Sequence, residues 1–262
     1  VEKYVKGNKP ATRYEEATFG AQSTTNFHYR PTWAPDYELF DASRTKVILD
    51  DWYVLRDPRQ FYYGNWTMTR AKQQDAMEAS YRFVESKNLL DNIPTPVQKL
   101  VCDVILPLRH VAWGGNMNNC NIAAIGYGTV FTAPAMFHAM DQLGVAQYIT
   151  RLGLTIGGTE VLDSGKDAWI NQPHWQVLRR YIEDTFVIED PFELFIAQNI
   201  ALDGQLYEMI FESFVEQHLT SKGVSAIAMV TSFINDWFKE SSRWIDAVIK
   251  IAADESDANN KL

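Results

Sequence analysis

Two long runs near the end of the chain repeat apolar residues with the period of an α-helix, and this feature restricts the fold more than any other. Residues 191–218 and 224–253 place apolar side chains at i, i+3, i+4 and i+7, which predicts two long amphipathic helices. Strand signals, which would be short runs alternating in polarity, are almost absent. Successive long helices joined by short connections predict an all-α fold, a helical bundle.

Proline and glycine divide the preceding part of the chain into further helices. The ranges predicted as helical are 67–88, 95–126, 134–152, 160–171 and 173–187. Pro107 should end or kink the second of them, because proline lacks the backbone N–H and clashes with the preceding turn. Pro134 and Pro173 stand where a first helical turn accepts proline. Gly157 and Gly158 should interrupt the helical pattern before residue 160.

The first 66 residues have a different character. They combine prolines with isolated aromatic residues and keep no helical period for long. Disordered segments are poor in aromatic residues, so we expect an extended N-terminal arm over 1–66 that makes subunit contacts, and a helical domain over 67–262. The residues hypothesised to lie at a subunit interface are Phe27, Tyr29, Arg30, Trp33, Arg59, Phe61, Tyr62 and Tyr63.

Composition excludes several classes of function. The formal net charge is −9 and no basic stripe is present, so nucleic acid is not expected as a partner. The two cysteines, Cys102 and Cys120, lack metal-ligand spacing and are predicted to fill core space in a protein of the reducing cytoplasm. No apolar run approaches the roughly 18 residues of a membrane span, and no signal peptide is visible at the start.

A long-helix bundle raises the possibility of a di-iron carboxylate centre, which needs Glu-x-x-His on two helices so that both ligands share a helix face. The five histidines are His28, His110, His138, His174 and His218, and the residues three positions earlier are Thr25, Pro107, Ala135, Asn171 and Val215. None is acidic. We therefore expect no catalytic iron and no cofactor in this chain. Glu240 with Arg243 is the nearest spacing, and it predicts a surface ion pair.

Some polar residues fall on the apolar stripes of predicted helices. Asn199 and Asp203 are spaced i, i+4 on the stripe of 191–218. They are either the remnant of a metal site or a buried, hydrogen-bonded pair that contacts a neighbouring helix. The asparagines between positions 116 and 121 admit the same two interpretations. His110 is interpreted as a structural histidine.

Several motifs resemble those of one protein family. They are TNFHYRPTW at 25–33, DPRQFYYG at 57–64, PLRHV at 107–111, NMNN at 116–119, WQVLRRY at 175–181, AQN at 197–199 and DW at 236–237. These motifs are spread over nearly the whole chain. With them, the sequence resembles the β subunit of the hydroxylase component of bacterial multicomponent phenol hydroxylases, which are soluble di-iron monooxygenases.

The resemblance implies a ferritin-like fold and assembly with α and γ subunits as an (αβγ)2 heterohexamer. It implies that the α subunit holds the di-iron centre and hydroxylates phenols with O2, while the β subunit is non-catalytic. A regulatory protein and an NAD(P)H-dependent reductase complete such systems. Family members usually continue past the position of Leu262 with another helical segment, so we expect a truncated or disordered end here.

Three alternatives to this interpretation stay open. The first is the β subunit of a toluene- or alkane-type monooxygenase. The second is a self-contained di-iron carboxylate protein, which bound iron in the isolated chain would favour. The third is a generic helical scaffold unrelated to oxygenases, which co-purification with a di-iron subunit would exclude.

Overall fold

The computed structural model describes residues 3–5, 7, 9–21 and 30–262, and over these residues the chain is an all-α helical bundle with no β-strand. The helices are α1 (Arg13–Thr18), α2 (Tyr63–Ser86), α3 (Thr95–Ile105), α4 (Leu108–Ile125), α5 (Thr129–Asn171), α6 (Pro173–Thr185), α7 (Pro191–Ile196), α8 (Asp203–Tyr207), α9 (Ser225–Glu255) and α10 (Asp257–Asn260). The segments Ala197–Leu202 and Glu208–Leu219 are π-helical and make 191–219 one continuous helix. The predicted helical bundle is confirmed.

Two prolines illustrate how proline position controls the helix boundaries. Pro107 separates α3 from α4, as predicted. Pro134 does not open its helix, because α5 already begins at Thr129 after the positive φ of Gly128. Pro134 is buried inside the helix and removes only one intrahelical hydrogen bond. The prediction that a helix starts at 134 is therefore wrong.

Helix α5 runs through the predicted interruption but changes direction there. Gly157 and Gly158 have non-helical backbone angles, and Gly158 has φ +68°, a left-handed conformation that favours glycine. Past this kink, Gly165 packs against Leu106, where an added Cβ would lie 2.9 Å from the Leu106 Cβ. The kink thus lets the second half of α5 pack over the junction of α3 and α4.

The buried apolar residues form two clusters, and the second joins the N-terminal segment to the bundle. Trp52, which is 5% exposed, contacts Tyr127, Phe131 and Phe192 with ring centroids 6.0, 6.1 and 6.4 Å away. Leu55 in the same segment is fully buried. Rings that were expected to be buried against another subunit therefore include several that pack against this chain's own helices.

Among the described residues, no helix is both long and apolar enough to cross a membrane.

Candidate functional site

The centre of the bundle holds a buried carboxyl group surrounded by amides. Asp203 is 1% exposed. Its two oxygens accept hydrogen bonds from the Nε2 atoms of Gln198 and Gln142 at 2.9 and 2.7 Å. The Gln142 carbonyl oxygen in turn accepts from the Tyr207 hydroxyl at 2.7 Å. These four side chains link α5 to the helix 191–219.

Asparagines of α4 extend this network to a third and a fourth helix. The Asn118 amide donates to Gln198 Oε1 at 2.8 Å and to Thr185 Oγ1 of α6 at 2.7 Å. Asn119 and Asn199 exchange a pair of amide hydrogen bonds at 3.0 and 3.1 Å. All of these side chains are buried. The network, here called the amide centre, comprises Asn118, Asn119, Gln142, Thr185, Gln198, Asn199, Asp203 and Tyr207.

The amide centre supports the second of the two interpretations of Asn199 and Asp203. Both are buried, and each bonds to residues of other helices. Asn199 binds Asn119 and Asp203 binds Gln142, each across to a neighbouring helix. Asn116, from the same asparagine cluster, donates to the carbonyl oxygen of Ala139 at 2.8 Å. These amides therefore bind helices together by satisfying buried polar groups.

The π-helical turns aim these residues at the core. Residues buried along this helix recur every fourth position at Asn199, Asp203, Tyr207, Phe211, Val215 and Leu219. In a regular α-helix a step of four residues turns about 40° beyond one full turn, so this row would leave the core. The wider π turns reduce that drift. The α-helical stripe predicted for 191–218 was right about the buried face and wrong about the helix type at Ala197–Leu202 and Glu208–Leu219.

A neutral histidine lies beside the amide centre. His138 is fully buried, its ring stacks on Trp237 with centroids 5.1 Å apart, and its Nε2 lies 3.8 Å from Asp203 Oδ2. Burial, assisted by the positive charges of Arg59 and Arg70, lowers the pKa of His138 to about 3. Burial raises the pKa of Asp203 to about 8 against the opposing effect of its amide donors. At neutral pH both side chains are therefore predominantly uncharged.

An ion-pair network lies next to His138, to which it is connected through the indole ring of Trp237. The guanidinium of Arg70 on α2 binds both oxygens of Asp141 on α5, at 2.7 and 2.8 Å, and reaches Glu240 on α9 at 2.9 Å. The indole N–H groups of Trp66 and Trp237 also donate to Asp141, each at 3.0 Å. This network ties three helices together with the carboxylate fully hydrogen-bonded.

A second arginine extends the ion-pair network to the N-terminal segment. Arg59, whose side chain is 4% exposed, binds Asp57 at 3.0 Å and lies 3.7 Å from Glu240. Over the described part of the chain, Glu240 pairs with Arg59 and Arg70. The surface pair predicted between Glu240 and Arg243 is therefore wrong, because Glu240 points between helices rather than along its own.

The chemistry available at the centre differs from that of a di-iron site. Such a site needs four carboxylates and two histidines projecting inward. The amide centre offers one carboxyl group, already bonded to two amides, and one neighbouring histidine. The described residues contain no group of three or more His, Cys, Asp or Glu side chains that could hold a metal ion. A di-iron centre does not fit these residues.

The structure separates the residues hypothesised to lie at an interface. Trp33 and Tyr63 are 62% and 70% exposed, and Arg30 is exposed beside Glu38. Phe61 and Arg59 are buried, with the guanidinium 4.6 Å from the ring centroid. Tyr62, half-buried, precedes α2, and Phe27 and Tyr29 lie outside the described residues. The side chains of Arg59 and Phe61 pack within this chain, and the interface role of the hypothesised residues stays a prediction.

The remaining candidate residues are His110 and the two cysteines, all of which are partly buried. His110 stacks on Trp169 with centroids 5.7 Å apart, and burial lowers its pKa to about 4. Cys102 packs against the main core cluster, and burial raises the pKa of its thiol to about 11. Cys120 is half-buried, and burial raises its pKa as well. Neither thiol is activated as a nucleophile.

Sequence reasoning missed the ion-pair network and the two glutamines. One signal was available, since Asp141 is the only Asp, Glu, Lys or Arg between positions 110 and 150. A lone charge in a long apolar stretch indicates a buried, paired group. The partners Arg70 and Glu240 come from distant parts of the sequence, so spacing could not identify them.

The comparisons with known proteins agree on one family. The family model described as methane/phenol/alkene hydroxylase matches residues 33–256. The chain is 47% identical to the phenol 2-monooxygenase oxygenase component DmpL of Pseudomonas sp. (strain CF600), over 97% of this chain and 77% of that protein. It is 43% identical to the corresponding component MhpL of Acinetobacter pittii (strain PHEA-2), over 98% and 77%.

Solved structures give the same result. A chain of the phenol hydroxylase of Pseudomonas sp. OX1 superposes with a TM-score of 0.92 at 42% identity, covering 97% of this chain and 77% of that one. A chain of toluene 4-monooxygenase superposes with a TM-score of 0.81 at 16% identity, covering 98% and 91%, and shares the fold. This chain therefore belongs to the methane/phenol/alkene hydroxylase family.

Proposed function

We propose that this chain is the non-catalytic β subunit of the oxygenase component of a multicomponent phenol hydroxylase. The observation that carries the proposal is the amide centre. A di-iron protein of this architecture would need a set of inward carboxylates and histidines. Here Asn119 and Asn199 bind each other, and Gln142 and Gln198 bind Asp203. These polar side chains in the core of the bundle thus hydrogen-bond to one another and hold the helices together.

The proposal assigns the iron and the chemistry to other subunits. A di-iron centre in a partner α subunit would activate O2 and hydroxylate phenols, and α, β and γ subunits would form an (αβγ)2 assembly. A regulatory protein and an NAD(P)H-dependent reductase would supply the system's control and electrons. The relatives DmpL and MhpL, named as oxygenase components of phenol 2-monooxygenases, support phenol as the substrate class.

A toluene-type oxygenase subunit is the second candidate. The β subunit of the toluene-4-monooxygenase hydroxylase of Ectopseudomonas mendocina is 19% identical over 79% of this chain. The phenol relatives are more than twice as similar over more of the chain, so phenol is favoured. Comparing rates of phenol and toluene oxidation by the assembled oxygenase distinguishes the two.

Elemental analysis tests the absence of iron. We expect the isolated, folded chain to carry far less than one iron, and the assembled oxygenase to carry iron that stays unchanged per αβγ protomer when His110 is replaced by Ala and Asp203 by Asn. Any loss of activity in these variants should follow loss of stability or assembly. Close to two irons per isolated chain would refute the proposal.

A further inference from the structure

The hairpin of α4 and α5 exposes an unusually uncharged surface. Between positions 110 and 150 the only Asp, Glu, Lys or Arg is Asp141, and its side chain is buried in the ion-pair network. Large apolar side chains nevertheless reach solvent from this hairpin: Trp113 is 53%, Met117 38%, Met136 39% and Leu143 41% exposed. A solvated helix face normally carries charges. The composition of this surface is therefore that of a contact surface rather than that of a face exposed to water.

Helix α5 forms a ridge on this surface with a groove on each side. The first groove, of about 250 Å³, lies between α2, α5 and α9 and is lined partly by the rings of Trp66, Tyr148 and Phe233. The second, of about 430 Å³, lies between α4 and α5 beside Trp113. Gln147 borders both grooves. Leu143, one helical turn earlier, projects from the same ridge.

We propose that this ridge and its two grooves are the surface on which another subunit of the oxygenase docks an uncharged, apolar helical face. The inference rests on the proposed function and adds the location and the chemistry of the contact. Interface centres are depleted in charged residues and enriched in Trp, Tyr and Met. Ridges of one helix pack into the grooves beside another, so the expected occupant is helical.

Electrostatics argue against two other occupants of this surface, a second copy of this chain and a lipid membrane. A second copy of this chain would bring together two molecules of net charge −9, and their repulsion opposes self-association. A lipid surface attracts helices through Lys and Arg beside the apolar face. Here Arg70 is bound to Asp141 and Glu240, and Arg109 donates to the carbonyl oxygen of Leu162 at 2.7 Å. A neutral protein surface fits best.

The test co-expresses this chain with the other subunits of the same oxygenase. Leu143→Glu places a charge on the ridge, and Met117→Glu places one on α4, one helical turn after Trp113 of the second groove. Met209→Glu is the matched control, because Met209 is 57% exposed but lies in Glu208–Leu219, outside the α4–α5 hairpin. We expect both ridge variants to lower recovery of the heteromer at least tenfold while the isolated chains keep wild-type melting curves, and the control to assemble normally.

Three other outcomes would each contradict the inference in a different way. Wild-type assembly that both folded ridge variants retain would reject this surface while leaving the proposed function intact. A wild-type chain that binds no oxygenase subunit would reject the proposed function and this surface together. Sedimentation of the isolated wild-type chain as a dimer, or its binding to anionic lipid vesicles, with loss of either by Leu143→Glu, would reject the choice of partner.

Discussion

A carboxyl group that is buried among amides keeps its proton to unusually high pH, and Asp203 is such a group. Its oxygens meet amide donors from Gln142 and Gln198, yet burial has the larger effect and raises its pKa to about 8. The unfolded chain releases this proton near the ordinary pKa of 3.8. Between these two values the folded state binds more protons than the unfolded state, so stability falls as pH rises.

We predict that Asp203→Asn becomes increasingly more stable than the wild type between about pH 4 and pH 8. Each pH unit in this window costs the wild type about 1.4 kcal/mol that the variant does not lose. The difference should level off above pH 8. Rotation of the Gln142 amide can accommodate the new Nδ2 group, because the Tyr207 hydroxyl can also accept a hydrogen bond. Urea unfolding across this pH range measures the effect.

Asp246→Asn is the control for this measurement. Asp246 is exposed on the same chain, in α9, so its replacement should change stability little and by the same amount at each pH. A difference between wild type and Asp203→Asn that stays constant from pH 4 to pH 8 would show that Asp203 is ionised in the folded protein.

At the scale of elements, the sequence predicted helices well where one residue decides the outcome. Pro107 ends a helix because its backbone N–H is missing, and this local property is visible in the sequence. Pro134 shows the limit, since packing of the long α5 outweighs one lost hydrogen bond. The π turns were missed although the buried positions from Asn199 to Leu219 recur every fourth residue, because that period was interpreted as an ordinary helix.

The 3₁₀ turn Trp52–Val54 fixes the N-terminal segment to the bundle through one large ring. We predict that Trp52→Ala lowers the free energy of unfolding by about 3–5 kcal/mol, because it leaves a cavity among Tyr127, Phe131 and Phe192. Chemical denaturation of the isolated chain measures this loss.

Ile48→Ala, four residues earlier at a side chain that is 73% exposed, is the control and should change stability by less than about 1 kcal/mol. An equal, small effect of both substitutions would mean that the segment is not held by its buried ring.

For the whole molecule, burial distinguishes the side chains that stabilise the fold from those that remain exposed and can contact partners. Periodicity predicted which helix faces turn inward, and the absence of iron, inferred from the lack of Glu-x-x-His, stays a prediction. The partners within the ion-pair network could not be predicted, since Asp141, Arg70 and Glu240 meet only after three helices pack. The sequence could not tell exposed aromatic residues of the N-terminal segment from buried ones. Phe61 and Trp33 stand in similar sequence surroundings, yet Phe61 is buried and Trp33 is exposed.

Trp33 is the described arm residue that best retains its predicted role as a binding anchor. It is 62% exposed, and its described contact is with the guanidinium of Arg44, 5.2 Å from a ring centroid of Trp33. An exposed cation–π contact contributes about 0.5–1 kcal/mol, so Trp33→Ala should hardly change the stability of the isolated chain. Large aromatic anchors at interface centres contribute about 2 kcal/mol or more to binding, which corresponds to a roughly 30-fold weaker Kd.

We therefore predict that Trp33→Ala weakens binding to the other oxygenase subunits about 30-fold and leaves the melting curve nearly unchanged, whereas Trp52→Ala lowers the stability of the isolated chain. Replacing Phe27 and Tyr29 as well should weaken binding further, a prediction made from their alternation in the sequence. Titrating the labelled chain with purified partner subunits gives the Kd. An unchanged Kd for Trp33→Ala, measured with a chain that melts like the wild type, would show that Trp33 is not part of the interface. The α5 ridge and its grooves would then be the proposed contact surface that remains.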